Sequence, residues 1–133
     1  MLVVDSSVWI DHFRDEPTPG AELLRHLLDR GEVRIVVPDL VLFEVLRGFR
    51  HEREHRQARL LMESLGIEAT GGAQWALNAA QHYRAMRAQG FTLSSPIDVL
   101  LAAWCIEQDY ALLHRDSDFD AFEDLRGLRV WRH

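Results

Sequence analysis

A chain of 133 residues, 47% of them hydrophobic and 27% charged, is long enough to bury a substantial core and reads as one domain over residues 1–133. Its formal net charge of −6 runs against a uniformly basic nucleic-acid binder, and all 15 of its basic residues are arginine. Without lysine there is no P-loop lysine, no Schiff base and no lysine general base.

The longest apolar run, Val99 to Ile106, falls far short of the ~20 residues that span a bilayer, so no membrane partner is expected. No basic stretch precedes the first apolar run and Asp5 interrupts it, so no secretory signal is expected. The cytoplasm is the expected compartment. A single cysteine, Cys105, lies in an apolar helical pattern and reads as a small core residue.

In chain order, Leu2 to Val4 is a short apolar run ending at Asp5, the pattern of a buried strand. Val8 to Phe13 fits a short helix capped by Asp5 or Ser6, broken at Pro17, Pro19 and Gly20. Ala21 to Arg30 places Leu23, Leu24, Leu27 and Leu28 at helical spacing, and Gly31 ends it. A second strand, Val33 to Val37, leads through Pro38 and Asp39 into a third helix that runs to Leu46 and stops at Gly48. Glu52 to Ser64 and Ala73 to Ala88 are the next helices, separated by Gly71 and Gly72. Ser95 as N-cap, Pro96 at N1 and Asp98 at N3 then open a helix through Gln108. Ala111 to Leu113 is a third strand, Asp116 and Asp118 belong to an acidic loop, and Arg129 to Trp131 reads as a last short strand. Strands alternating with helices predict an α/β, doubly wound fold with a mainly parallel sheet of about four to five strands.

Open α/β sheets bind ligands beyond the carboxyl ends of their strands. Asp5 follows the first strand at that edge, and Asp116 follows the third. Asp98 lies in the first turn of the helix that feeds the third strand, and Glu44 sits in VLFEVL, on the helix after the second. Four acids far apart in sequence are thus expected to converge on one rim. Each also has an ordinary role: Asp5 as a helix cap, Asp98 in a capping box with Ser95, Glu44 on a solvent-facing seam with Arg47, Asp116 and Asp118 in a surface loop. Two like charges ~4 Å apart repel by roughly 4 kcal/mol at an effective dielectric of 20, so gathered acids need a proton or a cation. No basic residue adjoins Asp5 or Asp98. An all-oxygen donor set favours Mg²⁺ or Mn²⁺, which suits phosphodiester hydrolysis.

The strand–Asp5–Ser6–Ser7 start, Glu44 in VLFEVLRG, Asp98 in SSPIDVLLAA and Asp116 in LLHRDSDFD together resemble the PIN-domain ribonucleases, and more closely the VapC toxins of bacterial toxin–antitoxin pairs. The resemblance runs from residue 2 to about 131. It implies an acidic quartet of Asp5, Glu44, Asp98 and Asp116 that binds Mg²⁺ or Mn²⁺ and cleaves RNA internally. Asp5, Asp98 and Asp116 correspond to metal ligands, Glu44 to a holder or activator of water, and Ser6 and Ser7 to hydroxyls that hydrogen-bond within the site. Asp118 is an alternative to Asp116. The resemblance further implies a structured RNA substrate such as tRNA or rRNA, a homodimer, and a small antitoxin that inserts into the acidic groove.

Arg53, Arg56 and Arg59 fall at i,i+3 spacing on the fourth helix, where they either contact phosphate or form a solvated face with Glu52 and Glu54. Arg47 and Arg115 lie nearer the acids and are candidates to steady a phosphate, Arg47 equally a partner for Glu44. The four tryptophans read as core or dimer contacts before base-stacking platforms, and His114 as a strand-end residue. Two other classes compete. A Mg²⁺ phosphotransferase lacks both an Asp-x-Asp motif at Asp5 and a lysine to stabilise an acyl phosphate. A non-catalytic RNA- or protein-binding module of the same shape would be marked by loss of a metal-binding acid.

Overall fold

A computed structural model describes residues 1–132. Four parallel strands form one sheet: β1 (Leu2–Val4), β2 (Ile35–Pro38), β3 (Ile67–Glu68) and β4 (Ala111–Leu113), in the order β3-β2-β1-β4. Register pairs Leu2 with Ile35 on one side of β1 and Leu2 with Ala111 on the other. Successive strand residues point to opposite faces, and Leu2, Val3 and Val4 are all 0% exposed, so both faces of the sheet are covered.

Seven helices among the described residues provide that cover. After β1 come α1 (Ser6–Phe13) and α2 (Pro19–Arg30), after β2 come α3 (Asp39–Leu46) and α4 (Glu52–Leu65), and after β3 come α5 (Ala73–Ala88) and α6 (Pro96–Gln108). The last, α7 (Ser117–Arg126), follows β4. The α1 helix packs on α2 and α3, and α3 packs on α4; α5 and α6 pack together and both touch α7. One core cluster joins β1, β2 and β4 to Trp9, Leu24, Met62, Met86, Leu101, Phe119 and Phe122. Cys105 lies within it at 0% exposure, as expected of a core residue.

Three expectations are corrected. Pro19 and Gly20 do not interrupt the chain but form the first turn of α2, because Thr18 caps it and accepts the Ala21 N–H, leaving Pro19 where no donor is needed. The acidic stretch after β4 is helical from Ser117: Asp116 caps it, and Phe119, Ala121 and Phe122 form a buried face among the acids. Arg129 to Trp131 makes only a single parallel bridge, Val130 opposite Leu112, held by Leu112 N–H to Arg129 O and Trp131 N–H to Leu112 O at 2.9 Å each. The β3 strand, two residues after Gly66, was not anticipated. It hydrogen-bonds β2 and completes the fourth place in the sheet.

From β1 the chain winds outward to β2 and β3, then crosses to β4 on the other side of β1. The order therefore reverses between β1 and β4, which opens a crevice beyond their carboxyl ends. Asp5 and His114 are the residues that leave those two strands.

Candidate metal centre

Asp5 caps α1 with one of its two carboxylate oxygens. Its Oδ2 accepts the Ser7 hydroxyl at 2.6 Å and the Ser7 N–H at 3.4 Å. Its Oδ1 is buried with no hydrogen-bond donor among the described residues. Burial raises the Asp5 pKa above the usual 3.8, against the hydrogen bonds of Ser7 and Ser6 and the nearby His114. Capping α1 thus engages one oxygen of this carboxylate and leaves the other available to the candidate site.

Glu44 is half-buried on α3, and its Oε1 is also buried without a donor. Burial, followed by the charge of Asp5, raises its pKa, while the Ser6 hydroxyl and Arg47 pull it down. The Arg47 guanidinium lies over the Phe43 ring, 5.4 Å from its centroid, and makes no ion pair with Glu44 among the described residues.

Asp98 occupies N3 of α6, where its N–H reaches the Ser95 hydroxyl at 3.4 Å. The reciprocal half of a capping box, the Asp98 carboxylate on the Ser95 N–H, does not form among the described residues. The Asp98 carboxylate faces other acids instead. Burial, then Asp5, Asp116, Glu44 and Asp118 in decreasing order, push its pKa up to about 7.

Asp116 caps α7, its Oδ1 accepting the Asp118 N–H at 2.9 Å. Its own N–H donates to His114 Nδ1 at 3.2 Å. Asp118 is tied to the loop before α6, its Oδ2 accepting the Ser94 hydroxyl at 3.0 Å and the Ser94 N–H at 3.3 Å. One carboxylate oxygen each from Asp98, Asp116 and Asp118 lie within 4.8 Å of one another.

All five acids, with Ser6 and Ser7, are brought to this crevice, and Asp5 acts on Asp98 more strongly than any other charge. None of the five is in an ion pair among the described residues. Buried, unpaired carboxylates are costly unless protonated or neutralised. Two orphaned buried oxygens, a carboxyl group held to about pH 7 and an all-oxygen donor set fit a hard divalent cation.

The arginines expected to meet phosphate are disposed differently. Arg53 and Arg56 are exposed on α4 and do not figure among the charges acting on Asp5, Glu44 or Asp98. Arg59 is spent on Glu63 at 2.6 Å. Arg115 pairs with the buried Asp11 on α1, Nε to Oδ2 at 3.0 Å, which Thr18 also contacts at 3.3 Å. His114 is more than a strand-end residue. It is 7% exposed, and it orders the backbone of Asp116 beside Asp5. No local pattern marks that role, because its partners come together only when β1 and β4 pair.

The PIN domain family model matches residues 2–125. Ribonuclease VapC11 of Mycobacterium tuberculosis is 31% identical over 130 residues, covering 98% of this chain and 97% of that protein. The fold matches that of VapBC2 from Rickettsia felis bound to a promoter DNA fragment, with a TM-score of 0.73 at 14% identity over 98% of this chain and 96% of that one. It also matches a toxin–antitoxin complex from Klebsiella pneumoniae, with a TM-score of 0.71 at 16% identity over 99% and 97% of the two chains. The acids gathered where β1 meets β4 therefore stand in a chain that belongs to the PIN-domain family, among its VapC-type members.

Proposed function

We propose that this chain is a Mg²⁺- or Mn²⁺-dependent endoribonuclease, the toxin of a toxin–antitoxin pair. The observation that carries the proposal is the convergence of Asp5, Glu44, Asp98, Asp116 and Asp118, none of them in an ion pair among the described residues. Nearly full-length similarity to a ribonuclease VapC11 and the fold shared with a toxin–antitoxin complex support it.

In this reading Asp5 Oδ1, Asp98 and Asp116 hold the cation, and Asp118 braces the cluster through Ser94. When bound, the ion acidifies water and offsets charge on the scissile phosphate. Glu44 Oε1, buried and without a donor, orients the attacking water and takes its proton as oxygen adds to phosphorus and the P–O bond breaks. A raised pKa makes Glu44 a better base than an ordinary carboxylate. Ser7 fixes the Asp5 carboxylate so that only one of its oxygens faces the crevice.

The reading includes a structured RNA substrate such as tRNA or rRNA, a cognate antitoxin, and action as one cytoplasmic domain in a homodimer. Exposed Leu60 (62%) and Leu77 (65%) supply apolar surface for such contacts. No helix among the described residues is long and apolar enough to cross a membrane.

The test incubates purified protein, freed of any antitoxin, with tRNA in Mg²⁺, Mn²⁺ or EDTA, beside Asp5→Asn and Asp98→Asn. Internal cleavage that needs the metal and disappears in both folded variants is expected. Cleavage that survives EDTA or either substitution refutes the assignment.

A further inference from the structure

A second cavity borders the acid cluster at Asp116. It measures about 240 Å³ and is lined by His114, Arg115, Asp116, Asp120, Trp131 and Arg132, with Val130. We propose that it is a nucleotide subsite, in which one base of the RNA strand stacks on Trp131 and the adjoining phosphate meets Arg115. The proposal rests on the ribonuclease reading and names where the strand runs on leaving the acids.

Two independent features bring Trp131 and Arg115 to this place. The parallel bridge between Val130 and Leu112 carries Trp131 to the level of Leu113, at the carboxyl edge where the crevice opens. There the ring packs partly against the core, which holds it still, and presents its remaining surface to the cavity. Trp9 and Trp104 are buried, and Trp75 is anchored through its indole N–H to Leu100 O at 3.0 Å. Trp131 is thus the tryptophan that lines this opening.

Arg115 is placed by a different device. Asp11 is 7% exposed and contacts its Nε, whereas the Arg115 side chain remains 54% exposed. Neither terminal nitrogen of Arg115 donates a hydrogen bond among the described residues. A guanidinium held from behind with its two amino groups open is suited to phosphate. Arg132, in contrast, gives NH2 to both Glu123 oxygens at 2.7 Å. Asp120, the other acid on the wall, stays near His114 at 3.8 Å. The cavity is smaller than the ~300–1,000 Å³ of most ligand clefts, which matches one nucleotide rather than a folded ligand. Base–aromatic stacking tolerates any base, so the subsite contributes affinity and strand direction more than sequence choice.

The test measures binding of a fluorescein-labelled single-stranded oligoribonucleotide in EDTA, where cleavage plays no part, and then the KM for tRNA cleavage in Mn²⁺. Trp131→Ala is expected to weaken binding about ten-fold, the size of one lost stack, with Trp131→Phe recovering most of it. Arg115→Gln is expected to weaken binding and to reduce the slope of log affinity against log salt by about 0.7. Arg84→Gln, a charge lost from exposed α5, is expected to alter neither by as much. Should Trp131→Ala lower the melting temperature, Trp131→Leu replaces it as the variant that lacks a stacking ring. Folded Trp131 and Arg115 variants that bind with wild-type affinity and salt slope overturn the subsite. Wild-type cleavage together with unchanged variant KM retains the nuclease and removes the subsite; Trp131-dependent binding with no cleavage by the wild type does the reverse.

Discussion

Asp98→Asn is expected to stabilise the metal-free protein at neutral and alkaline pH while abolishing its activity. The folded protein holds the Asp98 proton to about pH 7, whereas the unfolded chain releases it near the ordinary 3.8. Between those values the folded state binds more protons, so stability falls as pH rises, and the full cost applies above pH 7. At about 1.4 kcal/mol per pH unit that gap sets a ceiling near ~4 kcal/mol. Asp98 is only half-buried and water screens its neighbours, which brings the expected gain to roughly 2 kcal/mol. Loss of a carboxylate from the first turn of α6 returns about 0.5 kcal/mol of that. The measurement is thermal unfolding in EDTA, where a rise of roughly 6 °C at pH 8.5 is expected for a domain of this size, shrinking to nothing near pH 4. Saturating Mn²⁺ should reverse the ranking, since ligand at about 100 times Kd stabilises the wild type by ~2.7 kcal/mol and the variant by less. A variant no more stable than the wild type at pH 8.5, or equally favoured at pH 4, would refute the crowding of charge on which the site rests.

Ser7→Ala removes the 2.6 Å bond to Asp5 and should cost about 1–2 kcal/mol in urea unfolding, seen as a lower midpoint at unchanged slope. His114→Leu leaves the Asp116 N–H without its acceptor and should cost about 1–3 kcal/mol and weaken Mn²⁺ binding by calorimetry; His114→Asn, which supplies an acceptor, should lose less. Asp116→Ala should lose both the α7 cap, about 1 kcal/mol, and Mn²⁺ affinity, whereas Asp116→Asn should keep the cap and lose the affinity alone. Cys105 is 0% exposed and burial pushes its thiol up, so it should resist thiol reagents in the native state and react only as the protein unfolds in denaturant.

The elements that could be read from sequence are those whose burial is written locally. Leu2 to Val4, Ala111 to Leu113 and the apolar run of α6 bury nearly every residue, and the structure places them within a residue or two of expectation. The β3 strand has two residues, one of them exposed, and exists because β2 offers it an edge. That information lies outside its own sequence. The α7 helix escaped notice because Asp118, Asp120, Glu123 and Asp124 mask Phe119 and Phe122, three residues apart on one face. The acids were legible because the rule for α/β sheets says where strand ends lie. What His114 and Asp11 do was not, since their partners, Asp116 with Asp5 and Arg115 with Thr18, meet through the pairing of β1 with β4 and the fold of α1 onto the following loop.

The capping and site roles of these acids were posed as alternatives in the sequence, and in the proposed site Asp5 and Asp116 fill both. A carboxylate has two oxygens, and the fold treats the Asp5 oxygens differently: Oδ2 closes α1, and Oδ1 is buried with no donor among the described residues. Asp116 likewise caps α7, with Oδ1 on the Asp118 N–H. The arrangement has a physical reason. A helix N-terminus tolerates negative charge, so putting the acids there lowers the cost of gathering them before any cation arrives. It also fixes each side chain through a hydrogen bond, so the free oxygens are aimed without further packing. Asp98 lacks this second support, because Ser95 engages its N–H and, among the described residues, no donor engages its carboxylate. Burial, and then the charges of the other acids, push its pKa up to about 7, so its charge depends on a cation. Metal affinity should therefore fall more steeply below pH 7 than an ordinary aspartate cluster allows, as Asp98 takes up its proton and leaves the site.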